Sequence, residues 1–552
     1  MNQPEPQSLP FAILMSDIEK GLIKIPQFQR DFVWGRDKSA KLLDSILRGF
    51  PVGTFIVWKT REALRAIRNI GGASLPDTPE GDAVQYVLDG QQRLTSLFAC
   101  AKGLVVERGG HRDDFSSMYV DLRAEGDAPI VLLDEGARND GSVIRIVDLL
   151  TADLTFLAEF PKVYHSRLSQ YRKTLESYLF SVVLVKDAPL DIATEIFTRI
   201  NVSGKQLTVF EIMVAKTFDA KSGFDLAQRV DSLLSEFESV GYETIRPEVI
   251  LQAISVLLRK ECAKKDILLL KKADIISIWE PGVNAMRSAI DYLRNYFRVP
   301  VSRLLPFGAM LVPITYFFHR HPEKPIGPTA DALMDFFWRV ALTGYYSHSL
   351  ETKIAKDIKR IDRILDGELP EYDDAALDIS PEFIFANGYF STGRSYAKAI
   401  LCLLAFQEPK SFADNSIVRI SNDWLKQTNS KNYHHFFPRA FLRKSGHDEK
   451  MINHVANITI VDDFMNKRLI GELPPSVYLP KFAASNPRLA ETLRTHLIDL
   501  DGKRVWMKDY ETFIHTRCAA FSVELGKRII PRSTDRSGQT ASDDLDIEEG
   551  EA

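Results

Sequence analysis

The chain has 552 residues, of which 45% are apolar and 26% charged, and a formal net charge of -4. With Gly 30 and Pro 27, these figures exclude a collagen, a largely disordered chain and a disulfide scaffold. The length suits about two to four domains, each able to bury its own core. Cys100, Cys262, Cys402 and Cys518 lie far apart. They lack the paired spacing of a structural zinc site or an extracellular disulfide framework, and they read as buried apolar side chains. The most apolar stretch, residues 304–318, contains Pro306 and Pro313 and is too short to span a bilayer. The first ten residues lack the basic-then-apolar order of a signal peptide, so a cytoplasmic protein without membrane contact is expected. Residues 538–552 carry Asp543, Asp544, Asp546, Glu548, Glu549 and Glu551 and no base, the composition of a solvated, disordered end. The rest is near neutral, so any nucleic-acid binding must rest on local Lys and Arg clusters.

Residues 17–20 end a short helical pattern, and residues 23–25 read as a strand stopped by Pro26. Apolar positions 42, 43, 46 and 47 give residues 38–47 a helical face. Phe50-Pro51-Val52-Gly53 breaks it, and residues 54–58 read as a buried strand. Residues 71–82 are a loop rich in Gly, Pro and Asp, followed by a strand at 85–88 and a helix at 94–102. From residue 192 the pattern is almost wholly helical. Helices at 191–200 and 209–218 flank a loop at 201–206, and Thr208 with Glu211 forms a capping box. Residues 373–388 form an acidic, proline-containing break.

The first constellation is Asp89-Gly90-Gln91-Gln92-Arg93, where a strand runs straight into a helix. Asp89 is placed to cap that helix with Gln92 as box partner, and Gly90 permits a tight turn or a close approach. The free N–H groups of the first turn and the Arg93 fork suit an anion. The same residues also suit a plain cap and a local ion pair, and residue chemistry alone leaves both readings open. Upstream stands Ile25-Pro26-Gln27-Phe28-Gln29-Arg30; downstream stands Phe197-Thr198-Arg199-Ile200-Asn201-Val202-Ser203-Gly204-Lys205-Gln206-Leu207.

The order IPQFQR, DGQQR, FTRINVSGKQL resembles the N-terminal domain of GmrSD-type restriction enzymes. The string from Gly344 to Asp357 resembles the helical end of that domain. The resemblance implies a ParB/sulfiredoxin-like α/β fold whose strand–DGQQR–helix element binds or hydrolyses nucleoside triphosphates. Asp89, Gly90, Gln91, Gln92 and Arg93 are then nucleotide-site candidates, with Arg30, Arg199 and Asn201 behind them. No Walker-type loop occurs, so NTPase chemistry would use another cradle. Nothing in the chain selects GTP, ATP, CTP or UTP.

The second constellation is Tyr433-His434-His435-Phe436-Phe437-Pro438. After it comes Ile452-Asn453-His454-Val455-Ala456-Asn457-Ile458-Thr459-Ile460-Val461, a strand-like run, then a short helical stretch, residues 462–470, carrying Asn466. Phosphodiester hydrolysis needs a neutral imidazole to deprotonate water and a divalent cation at the leaving oxygen. Adjacent histidines on an extended segment point to opposite sides, so one can face a metal and the other a scissile phosphate. A histidine pair at a turn, with asparagines as caps, is the plainer reading of the same residues.

HHFFP, NHVANITIV, Asn466 and Pro474-Pro475 together resemble an HNH (His-Me finger) nuclease of the variety fused to a GmrSD N-terminal domain. The resemblance implies a ββα-metal motif with His435 as general base and Asn457 orienting the base or holding the loop. It makes His434 and Asn466 ligands of Mg2+ or Mn2+, and His454 a structural or phosphate-facing neighbour. Around the motif, Arg439, Arg443, Lys444, Lys467 and Arg468 are candidates to follow a phosphate backbone, a solvated surface being the alternative.

The expected fold class is α+β multidomain. Residues 1–190 form a ParB-like α/β domain, 191–385 a helical continuation of it, 386–530 a mostly helical HNH domain and 531–552 an acidic tail. The expected function is an NTP-regulated, modification-dependent DNA endonuclease of antiphage defence, acting on modified phage DNA as a homodimer or by sequential nicking. An abortive-infection toxin cleaving RNA or unmodified DNA, and a nucleotide-dependent DNA-binding partner without cleavage, are the alternatives.

Overall fold

The computed structural model describes residues 3–26, 29, 32–61, 66–67, 69–70, 73–79, 81–108, 111–134, 140–200, 208–219, 222–374, 376–423, 425, 434–461, 470–500 and 509–535. The chain divides into two compact units, Met1–Leu226 and Ala227–Ala552. Residue 385 therefore lies inside the second unit.

The first unit opens with β1 (Glu5–Pro10), α1 (Phe11–Glu19), β2 (Ile23–Pro26), α2 (Arg36–Leu47), β3 (Phe55–Thr60), β4 (Ala66–Ile67), β5 (Val84–Asp89) and α3 (Gln91–Lys102). Later come β6 (Leu179–Lys186), α4 (Leu190–Ile200) and α5 (Val209–Thr217). The six strands form one mixed sheet in the order β1-β6-β3-β5-β2-β4. β6 runs antiparallel to β1 and parallel to β3, with Val182 opposite Phe55. β3 runs antiparallel to β5, and β5 parallel to β2. Pro6 and Pro10 sit on the edge strand, where a missing N–H costs the ladder least. The central strands are apolar on both faces: Phe55, Val57, Trp58, Tyr86, Val87 and Leu88 are all buried, as expected for strands covered on both sides. Leu14 and Ile18 of α1, Leu43 and Ile46 of α2, and Leu97 and Phe98 of α3 share one core with Phe55 and Val87. Each such side chain contributes roughly 1.5–3 kcal/mol on burial. Trp58 is fully buried, and its indole N–H donates to Ala188 O at 2.9 Å. The capping box of α5 forms as read, with Thr208 Oγ1 accepting from Glu211 N and Glu211 accepting from Thr208 N.

The second unit is mainly helical. Its elements include α6 (Leu311–Arg320), α7 (Pro328–Leu342), α8 (Leu350–Leu365), α9 (Pro381–Asn387), α10 (Ser395–Phe406), β7 (His434–His435), α11 (Arg439–Lys444), β8 (Ile458–Thr459) and α12 (Tyr510–Gly526). The apolar stretch at 304–318 packs inside this unit, with Leu311 through Phe318 buried. Among the described residues no helix is long and apolar enough to cross a membrane. The break expected at 373–388 instead contains α9, which packs against α12. Ser380 caps it by accepting from Phe383 N, and Pro381 occupies its first turn, the start signal the acidic composition obscured. All four cysteines are free and buried.

A buried polar latch closes this unit. Asp335 and Arg339 of α7 are fully buried. The Arg339 guanidinium binds Asp335 at 3.0 Å, Asp535 at 2.6 and 2.9 Å, and Ile530 O at 2.8 Å. Asp335 also accepts from Ile530 N at 2.9 Å and from Arg532 at 3.1 Å. Every charge in the latch has an opposite charge and hydrogen bonds, the condition under which buried ions are tolerated.

Candidate functional sites

In the first unit, Asp89 ends the interior strand β5 and α3 begins two residues later. Gly90 joins them with φ 94°, and a methyl group there would sit 2.4 Å from the Phe55 ring. Asp89 does not cap α3. Gly90 holds the cap position and brings no side chain to it, and the N–H groups and dipole of a helix start suit an anion. Asp89 instead pairs with Arg93 at 3.3 Å. Gln92 turns away from the box to accept Val33 N at 2.8 Å and Trp34 N at 3.2 Å. Arg93 donates to Val52 O at 2.8 Å and Thr54 O at 2.9 Å and lies over the Phe55 ring. Gly53, with φ 86°, makes room for it, since a methyl there would meet the guanidinium at 2.5 Å.

Gln29 donates to Val87 O and Leu88 O at 2.9 and 3.0 Å. Gln29, Val33 and Trp34 are thus stitched to the strand–helix corner. Gln91 and Gln92 are buried. α4 packs against β5, and its Arg199 is exposed and paired with Glu195 at 2.8 Å. Arg30 and Asn201 lie outside the described residues.

In the second unit, β7 pairs antiparallel with β8, His434 opposite Thr459 and His435 opposite Ile458. Residues 452–461 are not one strand. A short helix ends at Ile452, a single turn spans Val455–Asn457, and only Ile458–Thr459 is paired strand. His454 causes the turn: its Nδ1 accepts from Ala456 N at 3.0 Å. Its Nε2–H then donates to Phe385 O at 3.0 Å. Both ring nitrogens serve the backbone, and burial pushes the imidazole down to about 4.

Asn457 is fully buried. Its Oδ1 accepts from Phe437 N at 2.8 Å, while its Nδ2 donates to Phe437 O at 3.0 Å and Ile452 O at 3.2 Å. Phe436 N donates to Asn457 O at 2.7 Å, and the Tyr478 hydroxyl donates to Phe436 O at 2.8 Å.

His434 faces the interior at 1% exposure. Its Nδ1 lies 2.6 Å from Thr459 Oγ1, whose hydroxyl points weakly at His434 O, 3.4 Å away. That geometry puts the ring proton on Nδ1 and the lone pair on Nε2. Nε2 is buried and has no hydrogen-bond partner among the described residues. Burial first, then His435, His496 and Arg517, hold this imidazole well below its ordinary range, so it is neutral. Arg517 is itself buried, donating to His496 O at 3.2 and 2.9 Å and to Ala456 O at 2.6 Å. His435 is half-buried and meets Asn453 Oδ1 through Nε2 at 2.8 Å.

Among the described residues no three His, Cys, Asp or Glu side chains gather as a metal cluster. The orphaned Nε2 of His434 fits one ligand of a divalent cation whose other positions are filled by amide, water and phosphate oxygens, with Thr459 orienting the ring from behind. Asn466, Lys467 and Arg468 lie outside the described residues. On α11, Arg443 binds Glu449 at 2.5 Å and Arg439 approaches the same carboxylate at 3.6 Å. Lys444 pairs with Glu472 at 3.2 Å. All three are substantially exposed, and two arginines share one acid.

Four supporting residues are not among the candidates read from the sequence: Gln29, Asn453, Thr459 and Arg517. Asn453 and Thr459 stand inside the NHVANITIV string, four before and two after Asn457. Their partners are set by the turn at Val455–Asn457, which composition does not announce.

Residues 11–218 match the family model of the GmrSD restriction endonuclease N-terminal domain. Over those residues the first unit is similar to the N-terminal domain of the GmrSD restriction endonucleases. The chain is also similar over 516 residues to an uncharacterized protein of Methanocaldococcus jannaschii, 23% identical, covering 84% of this chain and 85% of that protein. That similarity extends through both units.

Proposed function

We propose that this protein is an NTP-regulated, modification-dependent DNA endonuclease of antiphage defence, with a phosphodiester-cleaving HNH site in its second unit. The observation that carries the reading is the pair of adjacent imidazoles on β7. His434 is buried and neutral, with Thr459 fixing its ring, and His435 is half-buried and held by Asn453. His435 is the general base that takes a proton from water. Asn457 fixes the loop that follows it. His434 and Asn466 would hold Mg2+ or Mn2+, which when bound supplies charge stabilisation at the leaving oxygen. Arg439, Arg443 and Lys444, with Lys467 and Arg468, would follow the phosphate backbone.

In the first unit, the start of α3, where a glycine holds the cap position, is suited to a triphosphate. Asp89, Gly90, Gln91, Gln92 and Arg93 would form the site, with Arg30, Arg199 and Asn201. Arg93 also shapes the turn at Val52–Thr54, where two of its N–H groups donate to backbone carbonyls. The nucleotide works as a switch, favouring one of two states of the chain.

The test is Mg2+-dependent cleavage of modified and unmodified phage DNA by wild type and His435→Ala, with and without a mixture of GTP, ATP, CTP and UTP. Cleavage of modified DNA alone, stimulated by nucleotide and absent in the variant, supports the whole reading. Cleavage that ignores modification keeps the nuclease and removes the sensor. Absence of cleavage on every DNA removes the DNA endonuclease.

A further inference from the structure

The reading above uses Asn453 only as a residue that holds His435, yet its contact with the proposed base is chemically specific. Its carboxamide can be oriented without ambiguity. A backbone carbonyl only accepts, so the group 2.6 Å from Phe390 O must be the Nδ2 amine. The group 2.8 Å from His435 Nε2 is then the Oδ1 oxygen. An oxygen acceptor facing Nε2 requires the ring proton to be there, which puts the lone pair of the neutral imidazole on Nδ1. The clamp is double, because Phe390 N also donates to Asn453 O at 2.8 Å. Asn453 is therefore tied by main chain and side chain to the segment between α9 and α10. Its oxygen is held in place before His435 is considered.

We propose that Asn453 is a positioning residue that fixes the Nε2–H tautomer and ring orientation of His435, so that Nδ1 is the atom that deprotonates the attacking water. The proposal rests on the nuclease reading for its chemical consequence, and on the Phe390–Asn453–His435 geometry for its structural part. In the step, a water proton moves to Nδ1 and the water oxygen bonds to phosphorus. The bond from phosphorus to the leaving oxygen breaks, and that oxygen takes a proton from solvent. As Nδ1 gains its proton, the ring becomes cationic, and the Nε2–H···Oδ1 bond becomes charge-assisted and stronger. Asn453 thereby favours the state formed during reaction, the differential interaction that accelerates a step.

The adjacent histidine is held in the opposite sense. Thr459 Oγ1 accepts from the Nδ1–H of His434, which leaves the lone pair on Nε2. Two neighbouring imidazoles thus present different nitrogens, each selected by one polar side chain.

The experiment uses the full chain labelled with 15N in histidine, the His435 signal being assigned by its loss in His435→Gln. Wild type is expected to show His435 as the Nε2–H tautomer. Asn453→Ala is expected to show a mixture, while the other histidine signals stay in place and report an intact fold. Asn453→Asp loses the bond to Phe390 O, as alanine does, but keeps an acceptor facing His435. It should retain the tautomer and move the acid limb of the pH–rate profile upward, because a carboxylate favours the imidazolium. In cleavage, Asn453→Ala should lower kcat by about ten- to a hundredfold with KM for DNA within about twofold. A wild-type Nδ1–H tautomer, or an unchanged tautomer and pH profile in both variants, overturns the proposal. If wild type cleaves no nucleic acid, the nuclease reading falls, and the tautomer signals alone decide the assignment to Asn453.

Discussion

The carboxamide of Asn457 closes a two-bond clamp on the backbone of Phe437, accepting from its N–H at 2.8 Å and donating to its carbonyl at 3.0 Å. The clamp lies in a fully buried position and sets where β7 ends. Asn457→Ala would strand both backbone groups of Phe437 away from water. Each stranded group costs about 1–3 kcal/mol, so urea unfolding of the second unit should show a loss of about 2–6 kcal/mol. Asn457→Asp keeps the acceptor and loses the donor, and should lie between wild type and alanine. Equal midpoints for the three proteins would contradict the clamp.

In the first unit, the prediction concerns Gly53 and Gly90, which leave space for Arg93 and Phe55. Both have positive φ, and a methyl group at either would approach within 2.5 Å of a neighbour. Gly90→Ala meets a packed ring and combines strain with overlap. It should cost at least about 1–3 kcal/mol, read as a lower melting temperature. Arg93→Lys keeps the charge but cannot reach Val52 O and Thr54 O together. It should therefore resemble Arg93→Ala in stability more than wild type. A lysine variant as stable as wild type would show that charge, not the fork, matters there.

Acid should weaken the second unit through its buried imidazoles. Burial holds His454 at about 4 and His496 at about 3 when folded, against 6.5 unperturbed. As pH falls below 6.5, the unfolded chain binds protons that the folded chain refuses. Stability is therefore full above pH 6.5 and declines toward the folded values. The slope is at most about 1.4 kcal/mol per pH unit for each histidine. Guanidinium midpoints between pH 7.5 and 5 should fall for wild type. His496→Gln, which can still donate to Lys410 O, should fall less steeply. Parallel slopes would remove His496 from the account.

Thr459→Val tests the support behind His434. The substitution is close in shape but removes the oxygen that accepts from Nδ1. Loss of an orienting partner of a metal-binding histidine typically weakens the metal about 10–100-fold. Mn2+ titration calorimetry of the full chain should show a drop of that order, with His434→Ala weaker still. Unchanged Mn2+ affinity in both variants would argue against His434 as a ligand.

Local signals were readable, and long-range ones were not. The Thr208–Glu211 box lies within four residues and forms as its spacing dictates. Asp89 and Gln92 carry an equally good local pattern, yet both are drawn elsewhere. Arg93 pulls Asp89 toward the β3 approach, and the N–H groups of Val33 and Trp34 take Gln92. The β-branched residues after Asn457 suggest a longer strand than exists. His454 spends a ring nitrogen on the turn before it, a contact that residue type alone does not reveal. β6 pairs with strands from the first sixty residues, so its place in the sheet is a property of the whole unit. The imidazole pair was legible as a motif, whereas the opposite tautomers depend on Thr459 and Asn453, which only the backbone path brings into reach.

The latch on α7 also constrains the order of synthesis. Asp335 and Arg339 wait for partners at Ile530, Arg532 and Asp535, nearly two hundred residues later. While the ribosome is still making that interval, a buried carboxylate and guanidinium have only each other, and the α7 face that receives the segment is open. Contacts this distant in sequence form late, and domains emerge as units from the N-terminus. The first unit can complete its sheet while the second is still being translated. The latch between α7 and residues 530–535 closes only once residue 535 has left the ribosome, so the second unit is completed after the first has already folded.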